Sequence, residues 1–409
     1  MSGRSGRRPD GVGERDTYKD RFGQIAGRTL GSVALPDMPA DGVLRVAVPM
    51  PGPLRQVNAY VLQEADGISV VDPGPRTETN EALWNHLLQD WGLNWQQVRQ
   101  IVVTHHHPDH YGLSGWMQEQ AGCPVLMSRR ALEEAGRMWG HTGGGTASGT
   151  ASGSASGSAN GPISGLVSGT ASGSGGGLSG ESGTGQAPDG RAEPELNRTL
   201  GAFFAAHGMP PEWTSQLPEH LRSFLPQTSP QPDVSIVEDG GTVRLGGRTW
   251  RAIQTGGHAP GHLSFHDAER ELLLCGDAVL PLVSPNISLL PGSDPQPLAS
   301  FLDGLVLLRR LPVKTAYPGH RDKLTEFAAR IDQLLVHHEE RLAETEALLA
   351  SGPRTGFELC LGLFGGRIRG IHQMRFAMSE ALAHAAELVR RGRAREVADE
   401  AGLRFVLCE

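Results

Sequence analysis

Residues 101–110 read Ile-Val-Val-Thr-His-His-His-Pro-Asp-His, and this run constrains the fold more than any other part of the chain. Ile101, Val102 and Val103 form a short, wholly apolar run, the pattern of a strand buried on both faces. It leads straight into four potential metal ligands, His105, His107, Asp109 and His110, within six residues. A helix would spread these side chains around its surface. A loop leaving a strand can instead turn His105 and His107 to one ion and Asp109 and His110 to a neighbouring one. Ligands at the C-terminal end of a buried strand are anchored yet open to a cleft. Imidazole suits zinc, iron and similar ions, and a carboxylate adds charge and hardness. The strand before the cluster and the Asp-His pair within it disfavour an adventitious His tract.

The rest of the chain repeats the theme of short strands that end in polar residues. Val43–Val48, Val57–Leu62 and Ile68–Val71 are β-rich runs, the last ending in Asp72-Pro73-Gly74. Residues 80–91 predict a helix, with Leu83, Trp84, Leu87, Leu88 and Trp91 on one face and Gly92 as its stop. Strand signals resume at Thr242–Thr255, with a hairpin turn at Gly246-Gly247. Leu272–Leu274 leads into Gly276-Asp277, and Thr315–Tyr317 leads into Gly319-His320. Residues 323–349 predict a long helix. A further amphipathic helix over 376–391, stopped by Gly392, precedes strands around 394–397 and 403–407.

Three units are expected: a disordered tail at 1–38, a main domain at 39–352, and a small C-terminal module at 353–409. The main domain is interrupted at about 140–190, where Gly, Ser, Thr and Ala take over, by a flexible low-complexity insert. The net charge of −8 gives no global pointer to nucleic acid or an anionic membrane. Cys123, Cys275, Cys360 and Cys408 form no CxxC pair, which points away from a disulfide framework or zinc ribbon and towards a reducing, cytoplasmic setting. No signal peptide and no membrane span are expected, since no stretch reaches ~18 consecutive apolar residues.

His-x-His-x-Asp-His after an apolar strand resembles the signature of the metallo-β-lactamase superfamily, and the resemblance continues in order. Asp72 matches an upstream motif, and Thr255-Gly256-Gly257-His258 is similar to a motif commonly Thr-Pro-Gly-His. Leu274-Cys275-Gly276-Asp277 resembles the Gly-Asp motif, and Pro318-Gly319-His320 the final histidine motif. The resemblance implies an α/β fold, the αββα four-layer sandwich, with a winged-helix-like C-terminal module. It implies His105, His107 and His258 as ligands of one metal, Asp109, His110 and His320 as ligands of a second, and Asp277 as the bridge. Two divalent ions are expected, zinc first, with manganese or iron accepted by the same donors. The oxygen-reducing diiron branch, which usually carries Glu where His107 stands, is disfavoured. Cys275 is expected to pack within its strand.

Two ions ~3.5–4 Å apart can share a hydroxide and stabilise charge on an attacked carbonyl or phosphoryl group. Asp72 is expected to orient a ligating His through its free ring N–H. His262 is expected to assist by hydrogen bonding, and Asp109, His262 and Asp72 are the catalytic candidates. His106 is read as structural, and His337 and His338 as a solvated or packed helix face. The arrangement is similar to glyoxalase-II-like thioesterases, although the Lys-and-Tyr pair that usually holds glutathione is absent after Asp277, where Ser284 and Asn286 edge an apolar pocket instead. The expected substrate is therefore a small acyl thioester or ester. The alternatives are a lactone, or RNA, the latter suggested by Arg367, Arg369, Arg375, Arg390, Arg391, Arg393 and Arg395.

Overall fold

The computed structural model describes residues 38–52, 54–140, 193–400 and 402–408. The tail to residue 37 and the low-complexity insert from 141 lie outside the described residues.

Two mixed sheets carry the fold. The first runs β1 (Leu44–Pro49), β2 (Gln56–Glu64), β3 (Gly67–Val71), β4 (Val98–Val102), β5 (Val125–Met127) and β6 (Val234–Ile236), in that order. The second is ordered β11 (Thr315–Pro318), β10 (Leu272–Gly276), β9 (His262–Asp267), β8 (Arg248–Thr255) and β7 (Thr242–Leu245). Their residues alternate between two cores. In β2, Val57, Ala59 and Val61 face the outer helices, whereas Tyr60 and Leu62 face the partner sheet. In β10, Leu273 and Cys275 point outward and Leu272 and Leu274 inward. With both faces covered, such strands read as continuous apolar runs. Helices Glu78–Asp90 and Ser114–Ala121 cover the first sheet, and Pro297–Arg309 covers the second. The result is the expected αββα sandwich.

The pairing places the site. Strands β3 and β4 are parallel, as are β10 and β11. Parallel strands finish at the same edge, so Asp72 and Thr104 leave the first sheet side by side, and Asp277 and His320 leave the second in the same way. The helix expected at 80–91 runs Glu78–Asp90, and the Thr77 hydroxyl caps it by accepting the Asn80 N–H at 3.1 Å. Gly92 follows with φ 67°, the left-handed conformation that glycine adopts without strain.

Elements that the sequence pattern leaves unassigned include helices Arg129–Trp139, Glu195–Ala206 and Leu217–Arg222 and strand β9. At the C-terminal end, helices Gly356–Phe364 and Ile371–Arg390 pack together beside a small sheet of β12 (Arg354–Thr355), β14 (Gly402–Leu407) and β13 (Ala394–Asp399). The long helix expected from 323 begins at Phe327 and ends at Ala350. Its His338 is fully buried against Phe301, with Nδ1 3.3 Å from His384 Nε2, so this position is packed and not solvated.

Candidate metal centre

The turn after β3 puts Asp72 in a left-handed conformation, φ 52°, and almost fully buries it. Its Oδ1 accepts the Thr104 backbone N–H at 2.8 Å, and its Oδ2 accepts the Thr104 hydroxyl at 2.7 Å. His110 Nδ1 lies 2.9 Å from the same Oδ2. A carboxylate can only accept, so Nδ1 carries the proton and Nε2 is the free lone pair. That Nε2 is buried, has no hydrogen-bond partner, and lies 3.5 Å from Asp277 Oδ1. The contact expected of Asp72, a carboxylate behind an imidazole, is therefore present.

The other imidazoles are held in the same manner from behind. His258 Nδ1 donates to the Asn286 carbonyl at 2.9 Å, which leaves its Nε2 without a hydrogen-bond partner, 3.6 Å from Asp277 Oδ2. His320 Nδ1 donates to the Gln56 carbonyl at 2.9 Å, and its Nε2 lies 3.2 Å from Asp109 Oδ2 and 3.4 Å from Asp277 Oδ2. His105 Nε2 and His107 Nδ1 are 3.0 Å apart. Ligand atoms from His105, His107 and His258 lie within 4.8 Å of one another, as do those of His105, His110 and Asp277, and those of Asp109, His110 and His320. All seven side chains expected as ligands thus converge, and Asp277 sits between the two halves.

The charges are complementary. Burial, then the imidazoles of His110 and His107, hold His105 well below the usual histidine range, so it is neutral. Burial also lowers His107, with His258 and His106 adding to the effect. Burial opposes charge on His110 and His320, but the surrounding carboxylates outweigh it, and His320 is raised to about 10. Burial works likewise against the Asp277 carboxylate, yet His320 and His110 hold it well below its usual range. His105 and His107 are thus neutral and ready to bind, the carboxylates are ionised, and a cation held at His110 and His320 would displace the proton each carries without it. Unpartnered buried lone pairs are costly unless a ligand satisfies them, so this donor set fits divalent cations.

His262 stands apart from the other candidates. It is fully buried, with Nδ1 3.1 Å from the Thr255 hydroxyl and Nε2 accepting the Asp277 backbone N–H at 3.1 Å. It does not line the cavity, and it positions Asp277 rather than meeting a substrate. Gly276 is required beside it: at φ 47°, a Cβ there would fall 2.6 Å from His262 Nε2. Cys275 packs within its strand, its Sγ 3.6 Å from the Val279 carbonyl. His106 Nε2 contacts Met138 Sδ at 3.1 Å, and burial lowers His106 to about 3.

A cavity of about 840 Å³ opens over the cluster and is lined by His107, Asp109, His258, Asp277 and His320. Ser284 and Asn286 edge it, as expected. Its lining also combines His220 and Phe224, which the sequence did not mark, with Arg375 and Phe376. The Arg-rich stretch containing Arg375 carried a signal, but only the packing shows which arginine turns inward.

Comparison with known proteins agrees with this geometry. The pattern of the metallo-beta-lactamase superfamily matches residues 52–320, and that of the metallo-beta-lactamase-like C-terminal domain matches residues 342–407. A protein of Bacillus subtilis (strain 168) named a probable metallo-hydrolase is 22% identical over 351 residues, 85% of this chain and 92% of that one. An atrochrysone carboxyl ACP thioesterase of Aspergillus fumigatus is 26% identical over 141 residues, 32% of each chain. A solved metallo-beta-lactamase family protein from Thermus thermophilus superposes with a TM-score of 0.68 at 28% identity, covering 90% of this chain and 99% of that one. Ordered motifs, converged donors and a match over most of the main sandwich give one conclusion: the chain belongs to the metallo-beta-lactamase superfamily and is a metallo-hydrolase by family.

Proposed function

We propose that the chain is a dinuclear hydrolase, zinc-dependent first, that cleaves a thioester or ester of a small acyl substrate. The observation that carries this reading is the set of three overlapping donor groups, joined through His105 and His110, at the floor of a large apolar cavity. His105, His107 and His258 would hold one ion, Asp109, His110 and His320 the other, with Asp277 between them. Ions bound there supply a nucleophile from water at neutral pH and polarise the attacked carbonyl. The chain's own residues do the rest. Asp72, Asn286 and Gln56 fix the three imidazoles from behind, and His262 fixes the backbone of Asp277. Asp109, with 19% of its side chain exposed against 7% for Asp277, lines the cavity, and its Oδ2 is turned towards His320 Nε2 at 3.2 Å, as a ligand of the second ion would be.

The apolar walls, with no Lys-and-Tyr pair after Asp277, favour an acyl group over glutathione as the recognised moiety, within a glyoxalase-II-like scheme and with a winged-helix-like C-terminal module. The thioesterase named among the relatives agrees with this chemistry. Cleavage of RNA finds less support, because Arg390 and Arg391 are bridged to Glu387, Arg391 also to Glu339, and Arg393 to Glu346. Those pairs neutralise much of the basic face such a substrate would need.

The test is metal analysis of purified protein followed by assays on acyl thioesters, esters, lactones, a chromogenic β-lactam and RNA. About two ions per chain, thioester cleavage abolished by chelation, and loss of metal and of at least ~100-fold in activity in His107→Ala are expected. Cleavage of RNA or lactones with no thioester turned over would overturn the substrate assignment. Full metal content in His107→Ala would overturn the ligand assignment.

A further inference from the structure

The cavity holds a charge that nothing among the described residues neutralises. Arg375, on helix Ile371–Arg390, is only 8% exposed and lines the cavity. Its guanidinium carbon sits 4.2 Å from the ring centroid of Phe376 and 5.9 Å from that of Phe224. Its Nε is buried with no hydrogen-bond partner. The other charged groups of the cavity are spoken for: Asp109 and Asp277 belong to the metal cluster, and Glu134 is bridged by both Arg130 and Arg137. Arg369 is exposed at the rim. Burial without an anion lowers Arg375 to about 10, still fully charged at neutral pH.

A buried cation with no counter-charge is costly in a folded protein. Aromatic rings beside the guanidinium hold its plane while leaving its N–H edge free, the geometry suited to a two-pronged grip on a carboxylate or phosphate. We propose that Arg375 is the anchor for an anionic group on the substrate, a carboxylate or phosphate carried at the end remote from the bond that the metal centre breaks. The inference deepens the thioester or ester reading above by naming a substrate class: acyl compounds with an anionic tail. Arg375 acts in binding, so its loss raises KM and leaves kcat largely unchanged.

Two measurements test this on the metal-loaded full chain. In the first, glutarate and inorganic phosphate are titrated calorimetrically into the wild type, Arg375→Met and Arg375→Lys. Binding at least tenfold weaker in Arg375→Met, with an intermediate loss in Arg375→Lys because the fork is gone, is expected; the anion that shows the loss identifies carboxylate or phosphate as the group recognised. In the second, S-ethyl monothioesters of succinate, glutarate and adipate are compared with their neutral methyl esters. The wild type is expected to prefer the charged member at least tenfold in kcat/KM at one chain length, the preference residing in KM and vanishing in Arg375→Met. Should Arg375→Met not fold, Arg375→Lys decides through the same KM rise at unchanged kcat. Binding of both anions within twofold of wild type, or thioesters cleaved with no charge preference, overturns the proposal and leaves the hydrolase reading standing. Arg375-dependent anion binding with no thioester or ester cleaved upholds the anchor and overturns the thioester or ester reading.

Discussion

Asp72→Asn is the most incisive single-atom change available, because the carboxylate is almost fully buried and accepts three hydrogen bonds, at 2.8, 2.7 and 2.9 Å. Asparagine has the same shape and tolerates the left-handed backbone at φ 52°, so steric strain does not enter. What changes is polarity. If the new NH₂ takes the place of Oδ2, it faces the His110 Nδ1–H, donor against donor. The imidazole escapes by moving its proton to Nε2, which occupies the lone pair aimed at Asp277 Oδ1. If the NH₂ takes the place of Oδ1, it faces the Thr104 backbone N–H, and no tautomer relieves that clash. The first arrangement is therefore the better one, and it disables His110 as a ligand. Losing a charge-assisted hydrogen bond costs ~1.5–3 kcal/mol of stability. Loss of such a partner behind a ligand lowers metal affinity ~10–100-fold. Competition against a chromophoric chelator should show one ion bound as in wild type and the other weakened by that factor, with activity falling in step. Thr104→Ser, which keeps the hydroxyl, should leave both ions in place. An Asp72→Asn protein that binds both ions at wild-type affinity would refute the tautomer argument.

Gly319→Ala would put a methyl group onto Asp277 Oδ1 and 2.5 Å from His110 Cε1, whereas Gly366→Ala meets nothing within 4 Å; a shift of ~1 Å at the reacting centre corresponds to ~100-fold in kcat, so the first variant should lose about that much and the second nothing, measured as kcat at saturating metal. Burial raises Glu380 to about 7, against the hydrogen bond from Asn286 Nδ2 at 2.7 Å. The folded state thus keeps a proton that the unfolded chain releases between about pH 4.5 and 7, and stability falls by up to ~3 kcal/mol as pH rises through that window and is level above it. Urea melts at about pH 5.5 and 7.5 should show this loss in wild type and not in Glu380→Gln; parallel curves would contradict it.

The convergence of the His and Asp donors was legible because its information is local. Short apolar runs mark strands buried on both faces, and a ligand placed just beyond each run needs only the parallel pairing of β3 with β4 and of β10 with β11 to meet its partners. His262 shows the limit of that reading. Its place after His-Ala-Pro-Gly suggests an active role, but whether an imidazole faces substrate or backbone depends on its ring hydrogen bonds, and here Thr255 and Asp277 take both nitrogens. Helix Arg129–Trp139 did carry a signal, since Ala131, Ala135 and Met138 fall on one buried face behind the Ser128 cap. The cavity wall at Phe224 and Arg375 was legible only in part: the Arg-rich stretch marked Arg375, but the two residues are separated by about 150 positions and meet only through tertiary packing.

That wall also bears on how the C-terminal segment works. A boundary at residue 353 follows naturally from the sequence, yet the hydrogen bonds ignore it. Asn286 accepts from the metal-site residue His258 through its backbone and donates to Glu380 through its side chain. Ser288 and Ser379 are bonded through their hydroxyls at 3.1 Å, and the Leu289 N–H donates to the Ser379 carbonyl at 3.1 Å. The stretch 284–290 is therefore stitched on one side to the proposed ligand His258 and on the other to helix Ile371–Arg390, the helix that also presents Arg375. One helix thus braces His258 through Asn286 and supplies the Arg375 and Phe376 lining of the cavity. A change that loosens this helix should disturb metal binding and substrate selection together, which ties the choice of substrate to the C-terminal segment even though every proposed metal ligand lies upstream of it.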